Sequence, residues 1–312
     1  TVNFTYNGSA VAPTDSGAYT VVGTISDSNY QGNATGTLHI VPAITSVTGP
    51  ANGSYRAEQA LNFTVNFSGN VTVDTTDGTP RIALTIGSTV RQADYLSGSG
   101  SSALVFRYTV QAAETDADGI ASASPIDLNG GTIKDAAGNN AALSFTPPTT
   151  SQVLVDTTAP TLSLGAPSAA TARGGPVTYT VTYADADFDT STLSASNVVL
   201  NRSGTANGEV NVTGSGTSYT VTISTITGDG TLGITVPTAL ATDRAGNAAP
   251  AATSSTFVVD NIAPTLSISA PSSSLTRTAS VTYTVTYADT SGSGLNAVTL
   301  AAGNITLNKT GT

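Results

Sequence analysis

The chain has 312 residues, no cysteine, and a net charge of −10 from 20 acidic and 10 basic residues. Disulfides and thiolate metal sites are therefore excluded, and nucleic acid is set aside as a partner, because Lys and Arg are not clustered to displace its counterions. Only 10% of residues are charged, against roughly 25% in an average globular protein, so the polar surface falls to Thr, Ser and Asn, and the acidic balance suits divalent cations.

No run of about 18 apolar residues marks a membrane span, and no signal peptide is visible. With Thr1 at its start and no Met anywhere, the sequence reads as an internal piece of something longer.

Residues 1–41 are β-patterned. Asn7-Gly8 is a hairpin signal, and strands are expected over Ala18–Ile25 and Ala34–Val41. His39, the only histidine, falls in the alternating stretch Thr37–Val41 and reads as a surface strand residue. The segment Tyr6–Ile40 resembles the C-terminal half of an MBG-type domain, a small β-module of bacterial surface proteins. The resemblance rests on the Tyr6-Asn7-Gly8 turn, on Asp15-x-Gly17-x-Tyr19-Thr20-Val21 and on Asn29-Tyr30 before the last strand. The first half of that module is absent.

Residues 43–156 read as a complete domain. In Leu61–Phe67 alternation sends Leu61, Phe63, Val65 and Phe67 to one side and Asn62, Thr64 and Asn66 to the other. Leu104–Gln111 is a further strand. Asp135-Ala136-Ala137-Gly138-Asn139 is a turn before a last strand ending at Val155.

Residues 160–260 read as a second domain. Val177, Tyr179, Val181 and Tyr183 share one face of a strand, and Thr178, Thr180 and Thr182 share the other. Strands are expected at Val198–Asn201, Glu209–Thr213, Tyr219–Ser224, Leu232–Val236 and Thr256–Val259. Asp243–Asn247 repeats the earlier Asp-x-Ala-Gly-Asn turn. About seven short strands separated by turns indicate an Ig-like sandwich.

Residues 264–312 begin a third copy. VTYTVTYAD occurs at Val177–Asp185 and again at Val281–Asp289, and APTLS at Ala159–Ser163 and again at Ala263–Ser267. Both pairs lie 104 residues apart, about the length of one sandwich and too long for a solenoid unit. Asn304–Thr312 aligns with Asn197–Thr205 at an offset of 107, which places three extra residues after Asp289. The fold class is therefore all-β, with tandem Ig-like β-sandwich domains in an elongated array.

The two linkers share the pattern Val-Asp-x-x-Ala-Pro, at Val155–Pro160 and Val259–Pro264. With the Asp-x-Ala-Gly-Asn turns, this pattern makes residues 43–312 similar to the bacterial Ig-like repeats of very large secreted or surface-anchored adhesins. The resemblance implies an extracellular, non-enzymatic protein, often stabilised by Ca²⁺ at domain junctions.

Two acidic stretches alternate, Glu114-Asp116-Asp118 and Asp185-Asp187-Asp189. Ca²⁺ takes 6–8 oxygen ligands, and closely spaced Asp side chains supply several. Sandwich topology places the E–F loop of one domain, the linker and the B–C loop of the next at one junction. Asp116, Asp118, Asp156, Asp185, Asp187 and Asp189 are thus expected to converge. A poorer set, Asp229, Asp260 and Asp289, falls at the following junction, and Val41-Pro42-Ala43 carries no acid. The competing reading is of solvated acidic loops, with Asp135 and Asp243 as turn residues.

A nucleophile pair of the Ser-His or Cys-His kind is impossible in the complete domains. There is no P-loop, dinucleotide fingerprint or zinc spacing. The Asn-x-Ser/Thr triplets at Asn33, Asn62, Asn70, Asn201 and Asn304 are what this composition produces by chance. The sequence indicates a structural or adhesive stalk, a monomeric rod whose partners are host or neighbouring-cell glycans or proteins. The alternatives are a ligand- or glycan-binding module, best sited in the longer 43–156 domain, and an accessory region of a secreted hydrolase.

Overall fold

Stretches in which Thr or Ser alternates with Val, Ile, Leu or Tyr suit a pleated, half-buried strand, and the computed structural model is built from such strands. It describes residues 1–275 throughout, and beyond them 277, 280–290, 294–295, 301, 303, 305–306 and 308. Asn304, Lys309 and much of the stretch expected to repeat Asn197–Thr205 lie outside the described residues. Among the described residues the regular structure is strand, and no helix is long and apolar enough to cross a membrane. The chain divides into two compact units, Thr1–Thr158 with Ala245–Asn247, and Ala159–Arg244 with Ala248–Thr312.

The first unit opens with a three-stranded antiparallel sheet, Val2–Tyr6, Gly17–Ile25 and Asn33–Ile40. Asn7 and Gly8 take φ of 45° and 83°, the left-handed pair that a tight hairpin requires. His39 is exposed opposite Ala18, as an outward strand position dictates. The short link to the sandwich is stitched in place. Ala142 N donates to Pro42 O at 2.8 Å, Ser68 N to Ala43 O at 2.8 Å, and Ala43 N to Ser68 Oγ at 3.1 Å.

The first sandwich buries Leu61, Phe63, Val65, Ile82, Leu104 and Phe106 completely or nearly so. Each such side chain contributes roughly 1.5–3 kcal/mol by leaving water. Its larger sheet holds seven strands, with Ala60–Asp74 paired to Ser101–Thr109, Ile44–Thr48 and Thr132–Lys134. The strand expected over Leu61–Phe67 therefore runs on to Asp74. Its register slips between Asn66 and Val71, where Ser68-Gly69-Asn70 breaks the alternation, and Val71 then returns to the core. A hairpin of Arg81–Ile86 and Thr89–Ser97 completes the large sheet's middle. Gly78 must be glycine. Its φ is 155°, and a Cβ there would sit 1.7 Å from Asn129 O.

The smaller sheet carries the sandwich's last strand. Val153–Asp156 runs parallel to Gly53–Tyr55 and antiparallel to Thr115–Asp116.

The second unit repeats this plan. One sheet orders Thr161–Leu164, Val177–Ala184, Ser218–Thr227 and Asn207–Ser215. The facing sheet orders Thr171–Ala172, Phe257–Val259, Gly230–Val236 and Val199–Arg202. Again the last strand, Phe257–Val259, is parallel to an early one, Thr171–Ala172. Val177, Tyr179, Val181 and Tyr183 point inward and are buried with Leu232, Ile234 and Phe257. The rings of Tyr179 and Phe257 lie 6.5 Å apart. Tyr179 Oη donates to Ser255 O at 2.9 Å, so the hydroxyl of this core tyrosine is satisfied. A separate hairpin, Thr265–Ile268 with Val285–Ala288, follows the second sandwich.

Candidate functional site

The acidic residues gather at the loop ends of each unit. In the first unit Ala113 turns the chain through a left-handed φ of 66° and sends Glu114 back under the core. Arg91 lies opposite the buried Leu84, so its side chain also faces inward. The Glu114 carboxylate accepts from Arg91 Nε, from Tyr108 Oη at 2.6 Å and from Gln111 N at 2.8 Å. Burial pushes the Glu114 carboxyl up, but the Tyr108, Gln111 and Arg91 donors outweigh it and hold the group below the ordinary carboxylate value. Burial, then the neighbouring carboxylate, pushes Tyr108 up to about 12.

These shifts set a pH profile for the first unit. The Glu114 contribution is whole above the unfolded carboxyl value of ~4.3 and is lost as pH falls through the lower folded value. The Tyr108 contribution is whole below ~10 and is lost as pH rises towards about 12. Tyr108→Phe should flatten the alkaline limb of a melting-temperature profile and lower neutral-pH melting by roughly 6 °C or more, because the bond to the Glu114 carboxylate is lost. An unchanged alkaline limb would remove Tyr108 as its cause.

Asp116 is buried and works as a clamp. Its Oδ2 accepts Gly87 N at 2.7 Å and its Oδ1 accepts Gly119 N at 2.8 Å, tying a hairpin turn to the loop. It pairs with Val155, and Thr115 pairs with Asp156, so Asp116 and Asp156 share one pole of the unit. Asp118 is exposed in the same loop. Asp156 Oδ1 accepts Thr158 N at 2.9 Å, and Thr157 Oγ1 donates to Glu114 O at 2.9 Å. Asn247 Nδ2, in the hairpin tip that belongs to this unit, donates to Asp156 O at 2.8 Å.

In the second unit Asp185 Oδ1 accepts Asp187 N at 2.7 Å, a local turn, and Asp189 is exposed. Phe188 pairs with Asp243 and Arg244 N donates to Asp187 O at 3.0 Å, which brings the Asp185–Asp189 loop beside the buried Asp243. Asp229 Oδ1 accepts Asn261 N at 2.7 Å, and buried Asp260 receives Ile262 N at 3.2 Å. Asp289 follows the Val285–Ala288 strand.

Asp135 is a turn residue. It accepts Asn139 N at 2.8 Å, Asn139 Nδ2 at 2.9 Å and Ala137 N at 3.0 Å, and the Asn139 donors hold its carboxyl below the ordinary value. The acidic loops offer carboxylate oxygens without nitrogen or sulfur ligands, which is the donor chemistry of a hard cation. The Glu114–Arg91–Tyr108 cluster is the feature the sequence reading missed. Its signal is an Arg at the inward position of an alternating strand.

Residues 1–44 match the MBG domain family. The match spans the whole MBG-like sheet and its link to the first sandwich. No curated protein matches the sequence. Among solved structures the chain is similar to the I-band fragment I67–I69 of titin, at 9% identity and a TM-score of 0.36, covering 83% of this chain and 88% of that one. It is similar to FdeC, an Escherichia coli adhesin, at 13% identity and a TM-score of 0.35, covering 79% and 74%. It is also similar to domains 4–9 of the surface layer protein SbsC, at 14% identity and a TM-score of 0.19, covering 86% and 40%.

Proposed function

We propose that this chain is a structural and adhesive repeat region, the stalk of a large extracellular bacterial adhesin, and that it is not an enzyme. The observation that carries the reading is mechanical. In each sandwich the last strand is hydrogen-bonded parallel to an early one, Val153–Asp156 to Gly53–Tyr55 and Phe257–Val259 to Thr171–Ala172. Tension applied at the two ends of a sandwich pulls such parallel strands past each other. All the bonds of the patch are then loaded together in shear, where an antiparallel pair of neighbours would unzip one bond at a time. Such a patch suits a load-bearing stalk. The MBG-type module at residues 1–44 supports a bacterial surface setting, and host or neighbouring-cell glycans or proteins are the partners of this reading.

Single-molecule pulling of the full chain tests it. The two sandwiches should unfold as separate high-force events. Proline at Leu154 removes a donor from the parallel patch and should lower the force of one event clearly, with the other unchanged. Low-force unfolding of the unaltered sandwiches would overturn the stalk reading.

Calcium belongs to the same proposal. Asp118 and Asp156 in the first unit, Asp185, Asp187 and Asp189 in the second, and Asp229, Asp260 and Asp289 beyond them are the acids offered as ligands, with Asp116 as their support. Ion at 100 times its dissociation constant stabilises a folded site by about 2.7 kcal/mol. Melting with Ca²⁺ and with chelator should therefore separate by several degrees. Asp156→Ala should reduce the response of the first unit, and Asp187→Ala that of the second. Superimposable curves with ion and with chelator would leave these acids as turn residues and nothing more.

A further inference from the structure

Only Val41, Pro42 and Ala43 separate the last strand of the MBG-like sheet, Asn33–Ile40, from the first strand of the sandwich, Ile44–Thr48. Such a link spans at most about 10 Å, and two of its residues are held. Pro42 is buried, and its carbonyl accepts Ala142 N. Ala43 is bound twice to one residue, its carbonyl accepting Ser68 N and its amide donating to Ser68 Oγ. Proline has no amide of its own, so every backbone polar group of Pro42 and Ala43 is engaged by the sandwich. Relative motion is the ordinary expectation for neighbouring domains, and this link departs from it.

A second hold lies beside the link. Gly17 pairs with Ile40, so the Asp15-Ser16 turn sits at the end of the sheet from which the chain leaves. Against it stands the break at Ser68-Gly69-Asn70 in the long strand of the sandwich. Between the pairs Asn66 to Ala103 and Val71 to Ser101, that strand carries residues 67–70 against Ser102 alone. An enlarged bulge of this kind re-aims a strand and is a built feature of a sheet. Ser16 fits into it. A Cβ on Gly69 would lie 2.0 Å from Ser16 Oγ and 3.3 Å from Ser16 Cβ. The serine side chain thus fills the space that a side chain at residue 69 would need. Gly69 is not in the left-handed region, so close approach, and not backbone freedom, calls for glycine there.

A third element takes part. Asp15–Gly17 and Pro42 line one cleft with Ser68–Asn70 and with Asp135–Ala137 of the Asp-x-Ala-Gly-Asn turn. The Asp135 carboxyl is held down mainly by Asn139, and the charge of His39 in the last strand of the sheet adds to this. His39 therefore lies within electrostatic reach of that turn. A single tether leaves a domain free to pivot. A second contact to one side of the tether stops the pivot in one plane, and a third on another element stops it in the other.

We propose that the MBG-like sheet and the first sandwich form a locked joint. The Ser68-Gly69-Asn70 break is the socket, and the Asp15-Ser16-Gly17 turn is seated in it. The sheet then points in one direction from the sandwich, and a pull on it is passed on without a swivel. The joint rests on contacts within the first unit and does not need the stalk reading.

The chain has no cysteine, so one pair of nitroxide labels can be placed without interference. Thr35→Cys in the sheet and Thr109→Cys in the sandwich are exposed positions, and pulsed electron–electron resonance reads the distance between them. The full chain should give one narrow distance distribution. Gly69→Leu fills the socket from the sandwich, and Ser16→Leu overfills it from the sheet. Each should broaden the distribution at least twofold. Gly36→Leu is the control, because a side chain there meets open space, and it should leave the width unchanged. Ser16 lies outside the buried core of the sandwich, so Ser16→Leu decides the matter even if Gly69→Leu unfolds that domain. A broad distribution in the unaltered chain would overturn the joint, as would an unchanged width in Ser16→Leu. Equal broadening by Gly36→Leu would place the effect within the sheet itself and would overturn it too.

Discussion

Replacing Tyr179 by alanine lowers the stability of the second sandwich by about 3–5 kcal/mol, the usual cost of removing a buried aromatic ring, whereas Tyr283→Ala changes it by less than about 0.5 kcal/mol. The two residues occupy the same place in one repeated nonapeptide. Tyr179 is fully buried, packs on Phe257 and donates to the Ser255 carbonyl. Its loss opens a cavity and removes one of two donors to that acceptor, Ser254 Oγ being the other. Tyr283 is more than half exposed and gives up little. Thermal melting distinguishes them, since each kcal/mol moves the midpoint by roughly 4–8 °C in a domain of this size. Equal effects would show that the later hairpin is covered in solution as its counterpart is.

Glu114→Ala should destabilise the first sandwich by about 2–4 kcal/mol, because three donors lose their acceptor at the edge of the core. Arg91 is then an inward-facing cation without its carboxylate, and the Tyr108 hydroxyl and Gln111 amide lose their bonds. Removing both charges is the informative control. The double variant Glu114→Ala with Arg91→Met should recover only a small part of the loss, since the Arg91 side chain is 38% exposed and solvent screens its unpaired charge. Denaturant titration of the single and double variants gives the coupling. A double variant as unstable as the sum of the singles would place the stabilisation in the tyrosine and amide bonds.

The strand faces were legible because the side-chain period of a strand is two. Leu61, Phe63, Val65 and Phe67, and later Val177 to Tyr183, announce their inward side in the bare sequence. The continuation from Phe67 to Asp74 was not legible. Ser68-Gly69-Asn70 has the chemistry of a turn, and only pairing with distant residues, Val71 with Ser101 and Val73 with Ile133, keeps the strand going. The acids were legible as residues and not as roles. Asp116 is named by its spacing to Asp118, yet one of its oxygens is spent on Gly87, and Glu114 on Arg91, partners more than twenty residues away. Asp135, by contrast, bonds within its own five-residue turn, so local chemistry sufficed.

The 104-residue spacing of the two identical nonapeptides has a genetic consequence. A crossover between the two coding segments joins one nonapeptide to the other in frame and in strand register. Whichever codon it falls in, the product still reads VTYTVTYAD, with the same side chains turned inward. A gene of this kind can lose or gain one domain length in a single recombination event, and the junction falls inside a strand whose own inward side chains are unchanged.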